Sequence, residues 1–253
     1  MRNTLWGALV ALALLGAPAL ASDAAGTAKG VNPAAAARRD GAVQTLVVGS
    51  DIFIGDLVQT GDKGIVQILF ADNTRLVVGS NSSLKIEDYL LRNDGSAGKM
   101  AVDMLGGTFR FATGNAAKSR YEIDTPTATI GVRGTEGDFF VTDDVTLVMV
   151  SGGAFKVCVK GTEDCKVVEG LCTLGQVDTA STIVGDTNDI TGLERAKLKG
   201  EFPFIDNESQ LQRIFRFIQG YGCLHKSPDA NAPVDAGITK FKPAPPPKGR
   251  RGI

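Results

Sequence analysis

Acidic residues and a lone histidine are the side chains of this sequence that could take part in catalysis. Asp138, Asp143 and Asp144 could supply paired carboxylates of the kind that hydrolyse glycosidic bonds, but acidic residues near turns are usually solvated. His225 is the only histidine, and it lies in a polar C-terminal segment, away from the β-rich region. Because a histidine-dependent nucleophile needs its histidine beside it, these residues predict a protein that is not an enzyme.

Motifs for phosphate groups and metal ions are also missing from the sequence. The glycine-rich pieces contain neither GxxxxGK[ST] nor GxGxxG, and the cysteines form no CxxC pair of a zinc site. The run Asp-Thr-Asn-Asp at 186–189 begins like a calcium loop, but Ile190 and Thr191 stand where an EF-hand needs a ligand and a glycine. We therefore expect no cofactor and no bound metal.

Arg133 is the charged residue with the strongest claim to a binding role. In the stretch 125–135, small and β-branched residues alternate up to Val132, and the run closes on Arg133, Gly134 and Thr135. Gly134 can take a positive φ. The guanidinium of Arg133 could bind an anionic partner. Alternatively, it donates to backbone carbonyls or pairs with Glu136 or Asp138 and so fixes the turn. The structural role is favoured, because it explains the glycine as well as the charge.

The N-terminus has the three parts of a secretory signal peptide. Arg2 supplies the basic region, residues 5–15 form an apolar run, and a small-x-small pattern at 19–21 follows Pro18. The alternative is a retained membrane helix, which needs about 20 unbroken apolar residues; Pro18 makes the run too short. We predict that residues 1–21 are removed after Ala21, that the mature chain has no transmembrane segment, and that it is periplasmic or secreted.

Charge and composition narrow the class of partner. The formal net charge is −1, and loss of Arg2 with the signal peptide lowers it by one, to −2. This leaves no positive field that would recruit nucleic acid. Helical patterns are scarce before residue 193, and the 31 glycines are typical of short strands joined by tight turns.

The four cysteines fit an exported protein, because an even number in an oxidising compartment favours disulfides. Cys158 and Cys165 bracket a polar turn between two β-like runs, so a bridge across that hairpin is compatible with the spacing. Cys172 would then pair with Cys223 and tie the C-terminal region to the last strands. Four cysteines allow three connectivities, and the sequence leaves the choice between them open.

Residues 41–180 carry the pattern of a β-domain. Apolar residues alternate in short runs, and turn signals such as Asp-Asn at 72–73 separate these runs. The piece 106–111 (GGTFRF) recurs as 152–157 (GGAFKV); each predicts a strand whose phenylalanine faces a core and whose base, Arg110 or Lys156, faces water. The predicted fold is all-β, with many short antiparallel strands in a twisted two-sheet sandwich or a rolled, jelly-roll or solenoid-like domain.

Four further segments flank this domain. Residues 22–40 are alanine-rich with few large apolar groups and predict a flexible leader. Residues 181–206 predict a linker, residues 207–225 an amphipathic helix with Cys223 as its staple, and residues 226–253 a disordered tail rich in Pro, Lys and Arg.

The C-terminal helix is predicted from its cap and its apolar stripe. Asn207 can cap, with Gln210 three residues later. The helix could bind a partner, but packing of the stripe on the β-domain is favoured. The stripe consists of Leu211, Ile214, Phe215 and Ile218.

Ordered motifs across residues 45–180 resemble the FecR domain family, which is named after the iron-dicitrate sensor. Residues 55–61 (GDLVQTG) are similar to a G-D-x-[IV]-x-T-G segment, and residues 70–76 (FADNTRL) to an F-x-D-G hairpin, with Asn73 in place of glycine. Residues 106–109, 152–155 and 174–176 resemble later pieces in the same order. The central signature is carried by Thr125, Pro126, Val132, Arg133, Gly134 and Thr135.

The resemblance implies an all-β extracytoplasmic domain without enzymatic activity. Family members that regulate sigma factors relay transporter occupancy through a transmembrane helix, which this chain lacks outside its predicted signal peptide. The expected function is therefore an exported interaction module that contacts an envelope protein, with envelope signalling as the process that the resemblance implies. The alternatives are a structural or adhesive envelope component and a hydrolase with an unrecognised site. The sequence does not predict the oligomeric state.

Overall fold

The computed structural model describes residues 24–92, 95, 97–115, 120–187, 192–217 and 222–224. The predicted signal peptide and the predicted tail lie outside these residues. The described chain forms 17 strands, two α-helices and one 3₁₀ turn. None of the described helices is long and apolar enough to cross a membrane.

The strands follow one another along most of the described chain. They are β1 Gly26–Asn32, β2 Ala35–Arg39, β3 Ala42–Thr45, β4 Asp51–Ile52, β5 Leu57–Thr60, β6 Ile65–Phe70, β7 Arg75–Val78, β8 Ser83–Leu91, β9 Ala97–Ala112, β10 Tyr121–Asp124, β11 Ala128–Val132, β12 Glu136–Val141, β13 Thr146–Gly152, β14 Ala154–Val159, β15 Cys165–Glu169, β16 Thr173–Val177 and β17 Thr182–Asp186. The helices are α1 Gly192–Glu201 and α2 Pro203–Asp206, and the 3₁₀ turn is Arg213–Phe215.

The strands form two sheets that share β9. Sheet A has the order β4-β1-β6-β7-β9-β12-β13-β16-β17, and sheet B has the order β3-β2-β5-β8-β9-β10-β11-β14-β15. The first part of β9 pairs in sheet B and its last part in sheet A. All pairings are antiparallel except that of β9 with β10. The predicted all-β, two-sheet architecture is confirmed.

One hydrophobic core lies between the two sheets. Alternate residues of each strand point into it, as the period of two requires. The rings of Phe139 and Phe155, from strands of different sheets, meet edge to face with centroids 5.2 Å apart. Five phenylalanines of this core are almost fully buried: Phe70, Phe109, Phe111, Phe139 and Phe155.

A buried polar network fixes one end of the sandwich. The carboxylate of Asp72 accepts hydrogen bonds from the hydroxyls of Tyr121 at 2.8 Å and Tyr89 at 3.2 Å, and from Thr74 Oγ1 at 2.8 Å. Asp72 belongs to the predicted β6–β7 hairpin of sheet A, whereas Tyr89 and Tyr121 lie on sheet B. Asn73 takes the left-handed conformation, with φ of 67°, so the hairpin prediction is confirmed.

The flexible leader predicted for residues 22–40 is wrong, because β1 and β2 pair with β6 and β5 of the sandwich. The alanines of this segment are buried in place of large side chains, for example Ala28 and Ala37. Gly26 has no room for a side chain, since a Cβ there would lie 2.9 Å from the carbonyl oxygen of Leu69. Small residues here let the strands approach closely, and their low hydrophobicity was misread as a lack of structure.

The C-terminal region also differs from its prediction. Residues 181–206 are not a linker: they include β17, α1 and α2. The predicted helix at 207–225 is wrong over residues 207–217, which contain only the 3₁₀ turn. Asn207 does not cap a helix; its side chain accepts the N–H of Ser209 in a local turn. The apolar stripe is compatible with a helix, but sheet A binds the backbone of this segment in a more extended form.

Residues 192–217 and 222–224, which we call the C-terminal arm, cover the outer face of sheet A. One hydrophobic cluster joins Leu147 and Met149 of β13 to Phe202 and Ile205 of the arm. Another, from β6 and β7, includes Phe204, Leu211 and Phe215 of the arm. The arm therefore packs on the β-domain through Leu211 and Phe215 of the predicted stripe, whereas Ile214 is 46% exposed and Ile218 lies outside the described residues.

The structure contains both disulfides of the pairing that the hairpin bridge implied, Cys158–Cys165 and Cys172–Cys223. The second bridge joins the arm to the β15–β16 turn. Its predicted role as a staple therefore holds, although the segment that it fastens is not a long helix.

Replacing Asp72 with alanine should destabilise the sandwich by about 3 kcal/mol, because the buried hydroxyls of Tyr89 and Tyr121 would lose an acceptor. Chemical denaturation of the mature protein measures this change. The Asp51→Ala variant, at an exposed position on β4, is the control and should change the free energy of unfolding by less than about 0.5 kcal/mol. Equal effects of the two substitutions would contradict a structural role for the network.

Candidate functional site

The first half of the family signature lies inside the sandwich. The hydroxyl of Thr125 accepts the N–H of Ala128 at 2.8 Å, which closes the turn before β11, and it accepts a hydrogen bond from Thr146 at 2.8 Å. Thr127 and Thr146 share a further hydroxyl contact of 2.8 Å. Pro126 is exposed, and Val132 is part of the core. These residues hold the corner between the sheets.

The second half of the signature forms the β11–β12 turn. Thr135 Oγ1 donates to the carbonyl of Ala154 at 2.6 Å, and Gly134 has φ of 68°. Gly153 fits against this turn, since a Cβ there would lie 2.2 Å from the Gly134 carbonyl oxygen. The side chain of Arg133 is exposed.

The carboxylates proposed to pair with Arg133 have other partners. Glu136 accepts a hydrogen bond from Arg75 at 2.9 Å, and Asp138 binds Arg110. The prediction that Arg133 fixes the turn through one of these carboxylates is therefore wrong.

Two open clefts border the C-terminal arm. One, of about 510 Å³, lies where the Gly134 and Gly153 turns meet Arg75 and Arg216. The other, of about 590 Å³, lies between Lys63 and the α2 region of the arm. Both clefts mark the seam between the arm and the sandwich, so this seam is a place where a partner could reach the face beneath.

A buried ionic network under the arm is the strongest electrostatic feature of the described chain. Arg110 Nε and Nη2 bind the two carboxylate oxygens of Asp138 at 2.8 and 3.0 Å, and Arg110 Nη1 binds Glu208 of the arm. Arg110 and Asp138 are each 1% exposed. The Arg110 guanidinium also lies 4.1 Å from the ring centroid of Phe217. The three charges join β9, β12 and the arm.

The environment of this network shifts the pKa values of its members. Burial alone would lower the pKa of Arg110, but the carboxylates of Asp138 and Glu208 outweigh it and raise that pKa, so the guanidinium stays charged. Burial raises the pKa of Asp138, although Arg110 opposes the effect. The negative charges of Asp138 and Glu208 are both compensated by the guanidinium of Arg110.

The network corrects two sequence predictions. Arg110 was expected to face water like Lys156 in the repeated piece; Lys156 is exposed, but the arm buries Arg110. Asp138 was expected to be solvated with Asp143 and Asp144; those two are exposed, but Asp138 is inside. No local signal separates Arg110 from Lys156, because the covering segment is about 100 residues away in the chain. The sequence likewise gives no sign that Gln67 binds the backbone of the arm or that Glu208 binds Arg110, because each partner is distant in the chain.

The outer face of sheet B carries a different arrangement. Asp103 of β9 lies opposite Lys85 of β8 and Asp124 of β10. Burial raises the pKa of Asp103 to about 6, with further contributions from hydrogen bonding to Glu87 and repulsion by Glu87 and Asp124. A hydrogen bond from Lys85 lowers the pKa of Glu87. None of the hydrophobic clusters of the described residues lies on this face.

Replacing Arg110 with methionine should destabilise the protein by about 3–5 kcal/mol, because it leaves Asp138 buried without a counter-charge. Denaturant unfolding measures the loss. The double variant Arg110→Met/Asp138→Leu should recover part of it. Lys156→Met, at the matching position of the repeated piece, should change stability by less than about 0.5 kcal/mol. A small effect of Arg110→Met would contradict the network's structural role.

Replacing Asp103 with asparagine should make stability less dependent on pH. A raised pKa means that folding favours the neutral acid, so wild-type stability falls as pH rises from the ordinary value of 3.8 through about 6. The stability of the Asp103→Asn variant should rise relative to wild type across that window, by less than about 1 kcal/mol because the group is only partly buried and solvent screens its interactions. Melting curves of both proteins at pH 4 and pH 8 measure this difference in stability. A difference that is the same at both pH values would count against the assignment.

Comparisons with known proteins give a family match and similar solved structures. Residues 56–169 match the family described as FecR protein. Two crystal structures of a candidate anti-sigma factor from Parabacteroides distasonis ATCC 8503 align with a TM-score of 0.42 and 12% identity, covering 51% of this chain and 59% of that one. The chain thus spans about three fifths of that protein. No curated protein matches the sequence. Residues 56–169 therefore form a FecR domain.

Proposed function

We propose that this FecR-domain protein is an exported, non-enzymatic interaction module that acts in envelope signalling through protein–protein contacts. Export rests on the N-terminal sequence and on two disulfides, which persist in oxidising compartments. The absence of an enzymatic role rests on the sequence, whose only histidine is outside the β-domain. The expected partner is an envelope protein.

The observation that carries this proposal is the difference between the two outer faces of the sandwich. The arm covers sheet A, whereas none of the hydrophobic clusters of the described residues covers the outer face of sheet B. Strand β3, at the edge of sheet B, pairs with β2 alone among the described strands, and all four of its residues are exposed. It contains no charge and no proline, the residues that usually protect an edge from pairing.

Exposed aliphatic residues continue from this edge. Val43, Val47 and Val48 are 61%, 61% and 64% exposed, and Ile54 is 45% exposed. Apolar groups gathered at an unprotected edge are typical of a surface that binds another chain. An extended segment can add to such an edge through main-chain hydrogen bonds, with side chains giving specificity. Strand β3 and the residues after it are therefore the contact surface that we propose for the partner.

A photocrosslinker at Val43 should capture one defined envelope protein in cells, and one at Val184 should not. Val184 is the control because it is exposed on β17, an edge strand of sheet A. A Val43→Lys substitution should weaken binding of the purified partner by about tenfold or more without lowering stability.

Sequencing of the exported chain should begin at Ser22. Crosslinking only to peptidoglycan or abundant porins would favour the structural or adhesive alternative. Retention of residues 1–21 would contradict cleavage after Ala21 but would leave the contact surface unchanged.

A further inference from the structure

Residues 207–217 of the arm, which we call the cis segment, are held on sheet A in the manner of a bound peptide. Their only regular structure is the 3₁₀ turn, yet Leu211, Phe215 and Phe217 are 1–2% exposed. The segment is a loop held partly by its own hydrogen bonds, such as that from Arg216 Nε to the carbonyl of Leu211 at 2.8 Å, and partly by the surface that buries these three side chains. This feature lies on the face opposite to strand β3, so it is independent of the function proposed above.

Side chains of sheet A recognise the backbone of the cis segment. Gln67 Oε1 accepts the N–H of Gln212 at 2.7 Å, and Gln67 Nε2 donates to the carbonyl of Gln210 at 3.3 Å. A single amide therefore binds a donor and an acceptor of the segment, as a neighbouring strand would. Arg75 Nη1 adds a bond of 2.6 Å to the carbonyl of Ile214. These contacts do not depend on the identity of the side chains at the positions bound.

The surface is shaped for Gln67 to make these bonds. A Cβ at position 30 would lie 2.5 Å from Gln67 Nε2, so Gly30 leaves the space in which the amide lies. Gln67 is 3% exposed, and its bonds to the cis segment satisfy both ends of the amide. A buried amide without partners is costly, so this face is built to be covered by a peptide backbone.

Side-chain contacts supply specificity. Glu208 binds Arg110 and also accepts the N–H of Phe217 at 2.9 Å. Leu211 and Phe215 pack against Ile65 and Val77 of sheet A, and the ring of Phe217 lies over the Arg110 guanidinium. The spacing is a carboxylate, an aliphatic residue three positions later, and aromatic residues four and six positions after that.

We propose that the outer face of sheet A is a peptide-binding site that the chain occupies with its own residues 207–217 and that also takes a segment of a partner protein with the pattern E-x-x-L-x-x-x-F-x-F. Charge complementarity requires a carboxylate in the partner segment, because Arg110 binds two carboxylates and one of them, that of Glu208, comes from the bound segment. The cis segment competes at the high local concentration of a tethered ligand, about millimolar. The Cys172–Cys223 bridge maintains that tether at the end of the arm.

Binding of a labelled synthetic peptide with the sequence of residues 206–217 (DNESQLQRIFRF) to the mature, full-length protein tests this site. The Cys172→Ser/Cys223→Ser variant should bind the peptide about tenfold or more tightly than wild type, since its cis segment is tethered at one end only. Cys158→Ser/Cys165→Ser removes the other disulfide and should bind like wild type. A peptide with Gln in place of the Glu208 equivalent should bind about tenfold more weakly.

A second variant keeps the test valid if the first does not fold. Glu208→Gln retains both disulfides, removes the charge with which the cis segment binds Arg110, and should also bind the wild-type peptide more tightly than the parent chain does. Failure of both variants to bind, while each melts cooperatively, would overturn the site. Equal affinities for the peptide and for its variant with Gln at the Glu208 equivalent would refute the recognition pattern. Dimerisation of the freed variants instead of peptide binding would replace the partner with a second copy of the chain.

Discussion

The pairing of Arg110 with Asp138 and Glu208 is the interaction on which the arrangement of the molecule depends. Asp138 and Arg110 face each other on neighbouring strands, where open solvent would screen them and make their attraction small. Covered by the arm, each carries a charge that only the others compensate, so the loss of any one is costly. The sandwich and the arm are therefore coupled: the arm removes water from the pair, and the pair gives the arm a fixed point.

The position of this interaction is set by strand β9, which carries Arg110. The first part of the strand belongs to sheet B and its last part to sheet A, so it passes from one layer to the other. Phe109 and Phe111 lie in the core between the sheets. Arg110, between them, must then face outward from sheet A, because successive side chains of a strand point to opposite faces. The orientation of the network thus follows from the packing of the core.

The two outer faces of the sandwich differ in chemistry. The outer face of sheet A carries the apolar residues that pack against the arm, and it carries Gln67 and the Arg110–Asp138 pair, which bind the arm. Sheet B carries exposed acidic and basic residues and ends in the uncharged strand β3. A FecR domain of this form offers one surface that is already occupied by its own chain and one edge that is open. Binding of a chain to the outer face of sheet A would cost the free energy of displacing the arm segment bound there. Binding at the open edge strand β3 would not.

The sequence by itself determined the all-β class, the FecR resemblance and the β6–β7 hairpin, and it offered the disulfide pairing that the structure contains as one of three. These features rest on local spacing: alternation with a period of two, turn residues such as Asp72 and Asn73, and cysteines that bracket a short polar turn. Only the tertiary structure decided the pairing of residues 26–39 in the sheets, the extended form of residues 207–217 and the burial of Arg110. Each of these features depends on contact with a segment distant in the chain. The apolar spacing at 211–218 is by itself compatible with a helix, but Gln67 and Arg75 bind the backbone of residues 210–214 and favour the form observed. Arg110 and Lys156 occupy equivalent local patterns, and only the presence of the arm over one of them makes the first buried and the second solvated.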